Sequence, residues 1–379
     1  MRIAIDARHI SKGGIGEYIR EILSRIAYEQ DLNFLVITLT SQNLIDIKAI
    51  NPKAINVIQG PEMFSIKEQI WLSKFCQKYQ PDVYFSPHVT FPIFSSCPIV
   101  LTVHDTIWLN YPQYATSQLA RTYFLIMLKL AAWKCKKLIC ISKNTASDIL
   151  KWTRVDPVRI EIIYNGVNLT HGHPNKSQQI DTPYFVYIGN WKPWKRIPDL
   201  ITAFELVDAA CANTEVHPQL ILAGRHNYNC SDDIASRIQS STAKERIHVL
   251  GELDRDRLNS LIASSIALVN PSEYEGFGLT LVEAMALETP VIAASGGSVP
   301  EVVSNAGILV KPRDVKGLSD AMLSVMNDGA LRNKLIESGK TRIHEFSWDK
   351  TAQLTLDIFI DVAKRDNLSN CRSDFQKYI

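Results

Sequence analysis

The stretch SEYEGFGLTLVEAMALETPVIAASGGSVPEV, residues 272–302, gathers glycines, prolines and glutamates around one short helical run. It follows IALVNP (266–271), an apolar run of strand length, so the local order is strand, loop, helix. Glu275 and Gly276-Phe277-Gly278 form the loop, and residues 279–287 read as a helix. A helix that begins at the carboxyl end of a strand presents exposed N–H groups there, and these favour an anionic group. Glu283, a little over two turns from Glu275, offers a carboxylate to a hydroxyl pair such as a ribose.

Outward from this unit, β-branched runs alternate with amphipathic ones. Upstream come RIAIDA (2–7), a helix from 16 to 29, FLVITLT (34–40), a helix near 66–79, DVYFSP (82–87) and PIVLTVHD (98–105). A long helix near 115–135, KLICIS (137–142), a helix at 143–152 and IEIIYN (160–165) follow. LTHGHPNKSQQIDTPY (169–184) is polar and reads as a linker. Alternation restarts with YFVYIG (184–189), a helix at 196–211, QLILAG (219–224), RIHVLG (246–251) and a helix at 254–264; PVIAA (290–294), GILV (307–310) and three closing helices near 314–327, 329–345 and 347–364 complete it. The expected fold is α/β: two doubly wound Rossmann-like domains, 1–168 and 169–345, with ligand bound at the carboxyl ends of parallel strands.

Bulk properties narrow the function. A chain of 379 residues, 46% hydrophobic, is long enough for two cores. The net charge of +2 gives no reason to expect nucleic acid as a partner. Residues 1–168 carry 19 basic and 13 acidic side chains, against 22 and 26 in 169–379, so a basic first half suits an anionic acceptor or membrane surface, or is an uneven solvated surface. The 7 cysteines lack CxxC spacing and read as free thiols of a reducing cytoplasm. The start MRIAIDARH lacks the apolar region of a secretory signal. YFLIMLKLAAW (123–133) is broken by Lys129 and is too short to span a bilayer.

Gly13, Gly14 and Gly16 lie between the first strand and its helix, where backbone N–H groups can approach a phosphate or simply form a turn. They do not follow the G-x-G-x-x-G spacing, and the second strand ends in TLTSQN without an acidic residue for a ribose, so NAD is excluded. DRD (254–256) mimics a metal-binding D-x-D, but Asp254 reads as a helix cap. HGH (171–173) lacks further ligands nearby, and no metal or other cofactor is expected.

The run EGFGLTLVEAMALETPVIAASGGSVPEV resembles the E-x7-E region of the retaining GT-B glycosyltransferases, in particular family 4. GGIGEYIREIL (13–23), HD (104–105), ISKNTASDIL (141–150), YNGV (164–167), YIGNWKPWKR (187–196), HVLGEL (248–253) and FSWDKTA (346–352) extend the likeness in order along nearly the whole chain. The resemblance implies a GT-B fold, a nucleotide-sugar donor held mostly by the second domain, an acceptor approaching over the first, and a terminal segment, 346–379, returning to the first domain. It also implies roles for single residues. Glu283 would bind the donor ribose, Glu275 would lie beside the donor sugar, Lys195 would pair with the diphosphate, and the backbone of Phe277, Gly278 and Leu279 would meet the sugar or distal phosphate. Gly13 and Gly14 would face that phosphate from the other domain, and His104 would stand near the reacting centre. Asn190 replaces a common arginine, a loss that Arg196 could offset; Thr280 stands where proline is usual, and Trp194 where arginine or histidine is commoner.

Without a metal, Lys195, a helix N-terminus and backbone amides must neutralise the leaving diphosphate. Retention needs either a carboxylate nucleophile, for which Glu275 is the candidate, or a front-face route in which the departing phosphate accepts the acceptor's proton; the family role of Glu275 favours the latter. A nucleotide-sugar epimerase and an inactive nucleotide-sugar-binding module are the alternatives. GNWKPWK (189–195) is similar to the version in bacterial mannosyltransferases that use GDP-mannose. The cation-rich apolar helix ARTYFLIMLKLAAWKCKK reads either as a core helix with a basic end or as a membrane-surface helix, and with family habit it points to a lipid-linked glycan acceptor at the cytoplasmic membrane face.

Overall fold

The computed structural model describes residues 1–11, 13–26, 32–40, 43, 47, 55–168, 182–225 and 231–376. The linker expected over 169–184, with its HGH, lies outside these apart from 182–184. The chain divides into two compact units, Met1–Gly166 with the chain from Trp348 onward, and Val167–Ser347.

The first unit holds strands β1 (Arg2–Asp6), β2 (Asn33–Thr38), β3 (Ile55–Gln59), β4 (Val83–Ser86), β5 (Ile99–Val103), β6 (Lys137–Cys140) and β7 (Ile160–Ile162), all parallel, in the order β3-β2-β1-β4-β5-β6-β7. Helices α1 (Gly13–Ile26), α2 (Ile66–Tyr79), α3 (Ile107–Asn110), α4 (Gln118–Lys134) and α5 (Lys143–Trp152) connect them. β4 and β5 are buried at every position, as strands covered on both faces must be, which is why they read as unbroken apolar runs. The second unit repeats the plan. Strands β8 (Tyr184–Ile188), β9 (Gln219–Ala223), β10 (Ile247–Gly251), β11 (Ala267–Asn270), β12 (Val291–Ala294) and β13 (Gly307–Val310) lie in the order β10-β9-β8-β11-β12-β13. With them run helices α6 (Ile197–Ala210), α7 (Ser231–Gln239), α8 (Arg255–Ala263), α9 (Leu279–Ala286), α10 (Val299–Val303), α11 (Val315–Asn327) and α12 (Gly329–Arg342). The last helix, α13 (Trp348–Gln376), belongs to the first unit. There Phe359 packs on Phe85 with ring centroids 4.9 Å apart, Trp348 sits edge-on to Tyr18, and Asp349 pairs with Arg25 at 2.6 Å.

Six of the described α-helices begin on a side-chain cap. Ser65, Ser117, Ser142, Asp254, Asp314 and Asp328 each accept a backbone N–H in the first turn of α2, α4, α5, α8, α11 and α12, which satisfies an otherwise orphaned donor. The helices after β8 and β11 differ. α6 and α9 begin on Arg196 (φ 52°) and Gly278 (φ 87°), both left-handed and without a side-chain cap.

Three departures from the sequence expectation stand out. Strand β3 and helix α7 were not anticipated, since INVIQ is a short, weak alternation and SDDIASRIQ is mostly polar. The glycines after β1 are not loop residues either: Gly13, Gly14 and Gly16 all lie in the first turn of α1. A Cβ on Gly16 would stand 2.3 Å from the Ile10 carbonyl oxygen, so this glycine is required by packing of the chain reversal. Gly16→Ala is therefore expected to cost about 1–3 kcal/mol by overpacking. Gly329→Ala, where the nearest atom is an arginine terminus at 3.9 Å, should stabilise by about 0.4–1 kcal/mol. Chemical denaturation of both variants checks the pair; equal effects would contradict the packing role of Gly16.

Candidate active site

In the second unit, successive strands run outward from β8 in one direction and from β11 in the other, so the topological switch point lies between the carboxyl ends of β8 and β11. Open parallel sheets bind ligands at such points. Lys195 ends a 3-10 turn, Pro193–Lys195, that follows β8, and Glu275 lies five residues beyond Asn270, the last residue of β11. The Glu273 N–H donates to the Trp194 carbonyl at 2.8 Å and so ties the two loops together. Lys195 Nζ then sits 2.6 and 2.8 Å from the two oxygens of Glu275, with both side chains mostly buried.

The carboxylate is fixed from several sides. Asn270 Nδ2 donates to Glu275 Oε1 at 3.1 Å, and the Ser272 N–H, donating to Asn270 Oδ1 at 2.9 Å, sets the orientation of that amide. Behind the loop, a Cβ on Gly296 would stand 2.2 Å from the Glu273 carbonyl oxygen, and one on Gly297 (φ +61°) 2.3 Å from that of Glu275. Ser298 donates its N–H and its hydroxyl to the Glu275 carbonyl at 3.0 and 3.1 Å. The Ser/Gly-rich segment is thus the mould of the glutamate loop. Burial alone would raise the Glu275 carboxyl, but the charge of Lys195 and the bonds from Lys195, Asn270 and Ser272 outweigh it and hold the group ionised below the usual range.

Glu283 projects from α9, and its Oε1 lies 2.7 Å from Nη1 of Arg255. Arg255 was read only as the middle of DRD; its neighbour Asp254 caps α8 by accepting the Arg257 N–H at 2.9 Å. Phe277 is buried edge-on against Phe346, 5.6 Å between centroids, and Leu279 opens α9 with its N–H uncapped by any side chain. Asn190 is exposed, and its carbonyl accepts the Tyr187 hydroxyl at 3.0 Å. Arg196 forms a two-pronged pair with Asp199 at 2.7 and 2.8 Å. Among the described residues, no three His, Cys, Asp or Glu side chains converge as a metal site.

The first unit has its own switch point, between β1 and β4, and a buried polar network that sequence reasoning missed lies there. Arg8, just beyond β1, grips Asp6 through Nε at 2.8 Å and Nη2 at 2.5 Å, and reaches Glu68 at 2.8 Å. The Tyr84 hydroxyl donates to Asp6 at 3.0 Å, and His88 Nε2 lies 3.2 Å from the same carboxylate. Two charged residues at the end of a buried strand, in IDARH, were the available signal. His104, after β5, sits edge-on to Tyr18 at 5.1 Å and contacts the Pro87 carbonyl through Nε2 at 2.9 Å. A carbonyl can only accept, so Nε2 carries the proton and Nδ1 is the acceptor of the neutral ring. Burial, which outweighs that bond, pushes the imidazole down to about 4.

Two family models match the chain, glycosyltransferase family 4 over residues 12–171 and glycosyl transferases group 1 over 173–342. The chain belongs to the family 4, group 1 glycosyltransferases of the GT-B fold, and it is an enzyme of that class. It is 25% identical to the O-antigen chain mannosyltransferase B of Escherichia coli over 374 residues, covering 91% of this chain and 95% of the relative. It is 30% identical to the O-antigen chain mannosyltransferase RfbU of Salmonella typhimurium over 238 residues, 63% of each. Among solved structures, Anabaena HepE in complex with UDP-glucose superposes with a TM-score of 0.78 at 17% identity, over 95% of this chain and 100% of that one, a likeness of fold.

Acid should destabilise the fold through both buried groups. His104 is held neutral, so the stability tied to it is complete above its ordinary 6.5 and is lost as pH falls towards about 4; Glu275 acts in the same direction as its carboxylate protonates. Thermal midpoints should fall with pH below about 6.5, and His104→Phe should flatten the part of that slope above about 4. A wild-type midpoint constant across that window would contradict a neutral, buried imidazole.

Proposed function

We propose that this enzyme transfers mannose from GDP-mannose, with retention of anomeric configuration, to a growing lipid-linked glycan. The observation that carries the reading is Lys195, held on Glu275 at the switch point of the second unit, beside the uncapped start of α9. A diphosphate at that place meets one ammonium and the positive end of a helix that no side chain caps, a set that stabilises a leaving anion. The mannosyltransferases among the relatives and GNWKPWK support the sugar and the base.

In this reading Glu283 takes the ribose hydroxyls, and the backbone of Phe277, Gly278 and Leu279 meets the sugar and distal phosphate. Asn190 and Arg196 border the diphosphate, and Gly13 and Gly14, at the start of α1, are the first unit's candidates for contact with a phosphate. Glu275 keeps its charge and stabilises the cation-like sugar. The acceptor hydroxyl attacks the anomeric carbon on the face the diphosphate leaves, the C–O bond to phosphate breaks, and the hydroxyl proton passes to the departing phosphate oxygen. His104, neutral through the physiological range, acts as a hydrogen-bond partner for a sugar hydroxyl rather than as a proton donor. The reaction needs no resident metal, and a lipid-linked acceptor makes contact with a membrane face peripheral.

Turnover of a panel of nucleotide sugars tests the donor: GDP-mannose should lead, and a preference for UDP-glucose would overturn that choice. Glu283→Ala should weaken GDP and GDP-mannose alike by about 1.5–3 kcal/mol, ten- to a hundredfold. Unchanged GDP affinity would remove Glu283 from the ribose. EDTA should leave turnover intact; a loss restored by manganese would bring Asp254 and Asp256 back as ligands.

A further inference from the structure

The sequence left α4 as either a core helix or a surface helix, and the structure gives it two apolar faces. Met127, Leu128, Ala131 and Ala132 face the core of the first unit. Leu119, Tyr123, Ile126 and Trp133, spaced as one helical stripe, are exposed, Leu119 by 84% and Trp133 by 74%. An ordinary surface helix would be polar there. The stripe is also not isolated, because Tyr123 touches Phe64 edge-on at 6.1 Å, and Phe64 precedes α2, whose Ile66 (83% exposed) and Ile70 face solvent. Beyond α2, the Ile93 N–H donates to Gln69 at 3.1 Å, which sets the 78% exposed Phe94 beside the same helix.

Charge identifies the occupant. α4 carries Arg121, Lys129 and Lys134 and no acidic residue, while α2 carries Lys67, Lys74 and Lys78, and its one carboxylate, Glu68, is buried on Arg8. Glu62, two residues before Phe64, is the acidic residue next to the stripe in sequence. A second copy of this chain would set cations against cations. An anionic bilayer surface matches the pattern, with aromatic rings at headgroup level and lysine stems lying along the apolar layer. No described helix is long and apolar enough to cross a membrane.

We infer that the α2–α4 face of the first unit is a docking surface for an anionic phospholipid bilayer. It deepens the lipid-linked acceptor reading, on which its biological sense rests, but its test does not depend on that reading. The full chain is sedimented with vesicles of phosphatidylcholine alone or mixed with phosphatidylglycerol, and GDP binding is measured in parallel. Binding to the anionic vesicles should exceed that to neutral ones by about tenfold and fall with salt. The variant Leu119→Ser/Tyr123→Ser/Trp133→Ser should lose that binding while keeping its GDP affinity, and Lys129→Glu should lose the anionic preference. Vesicle binding without any GDP binding would leave the surface standing and sink the donor reading. Wild-type protein that stays in solution with both vesicle types, or a triple variant that binds as the wild type does, overturns the inference. A concentration-dependent dimer abolished by the triple variant, with no vesicle binding, would assign the face to a second copy instead.

Discussion

The ion pair between Lys195 and Glu275 is the constraint around which the second unit's site is arranged. Two charges taken largely out of water cost several kcal/mol in desolvation, and the pair persists because its geometry is two-pronged and Asn270 supports it. Removing either partner would leave the other buried and unpaired, at a cost of about 3–5 kcal/mol. The surroundings follow from that requirement. Gly296 and Gly297 let two strands' loops approach to a distance that no side chain permits, and the bond from Glu273 to Trp194 sets the height of the lysine against the carboxylate.

Such a pair suits the substrate class of the family. In this structure Glu275 neutralises the ammonium; in the proposed reading a diphosphate at the start of α9 would offer a second anion, and the lysine would be shared. The helix starts at Arg196 and Gly278 lack the side-chain cap that six of the other helices carry. Arg255 meets Glu283 as Lys195 meets Glu275, a cation 2.7 Å from a mostly buried carboxylate, and in the proposed reading a ribose would compete for that carboxylate.

Much of this was legible from the chain. The alternation of apolar runs with amphipathic ones gave two parallel-sheet units, because strands buried on both faces leave a strong signal, and the glutamate loop stood out by its spacing. Contacts across long separations left none. Nothing near Lys195 announces that its partner lies 80 residues on. Arg8 was hidden because a strand read for hydrophobic pattern conceals charges paired within the core. For Gly16 the choice between a phosphate approach and a turn stayed open, since sequence shows a missing side chain but not the Ile10 carbonyl that forbids one. The sequence left α4 between a core and a surface reading, because periodicity shows that a helix is apolar but not that it has more apolar residues than its core can take.

The most direct measurement is a double-mutant cycle of Lys195→Ala and Glu275→Gln read on GDP affinity by calorimetry. If the diphosphate takes over the lysine, Glu275→Gln tightens GDP, Lys195→Ala weakens it, and the gain from Glu275→Gln disappears once Lys195 is gone. A Glu275→Gln variant that binds GDP no better than the wild type, or a gain that persists without Lys195, would contradict the shared-lysine account.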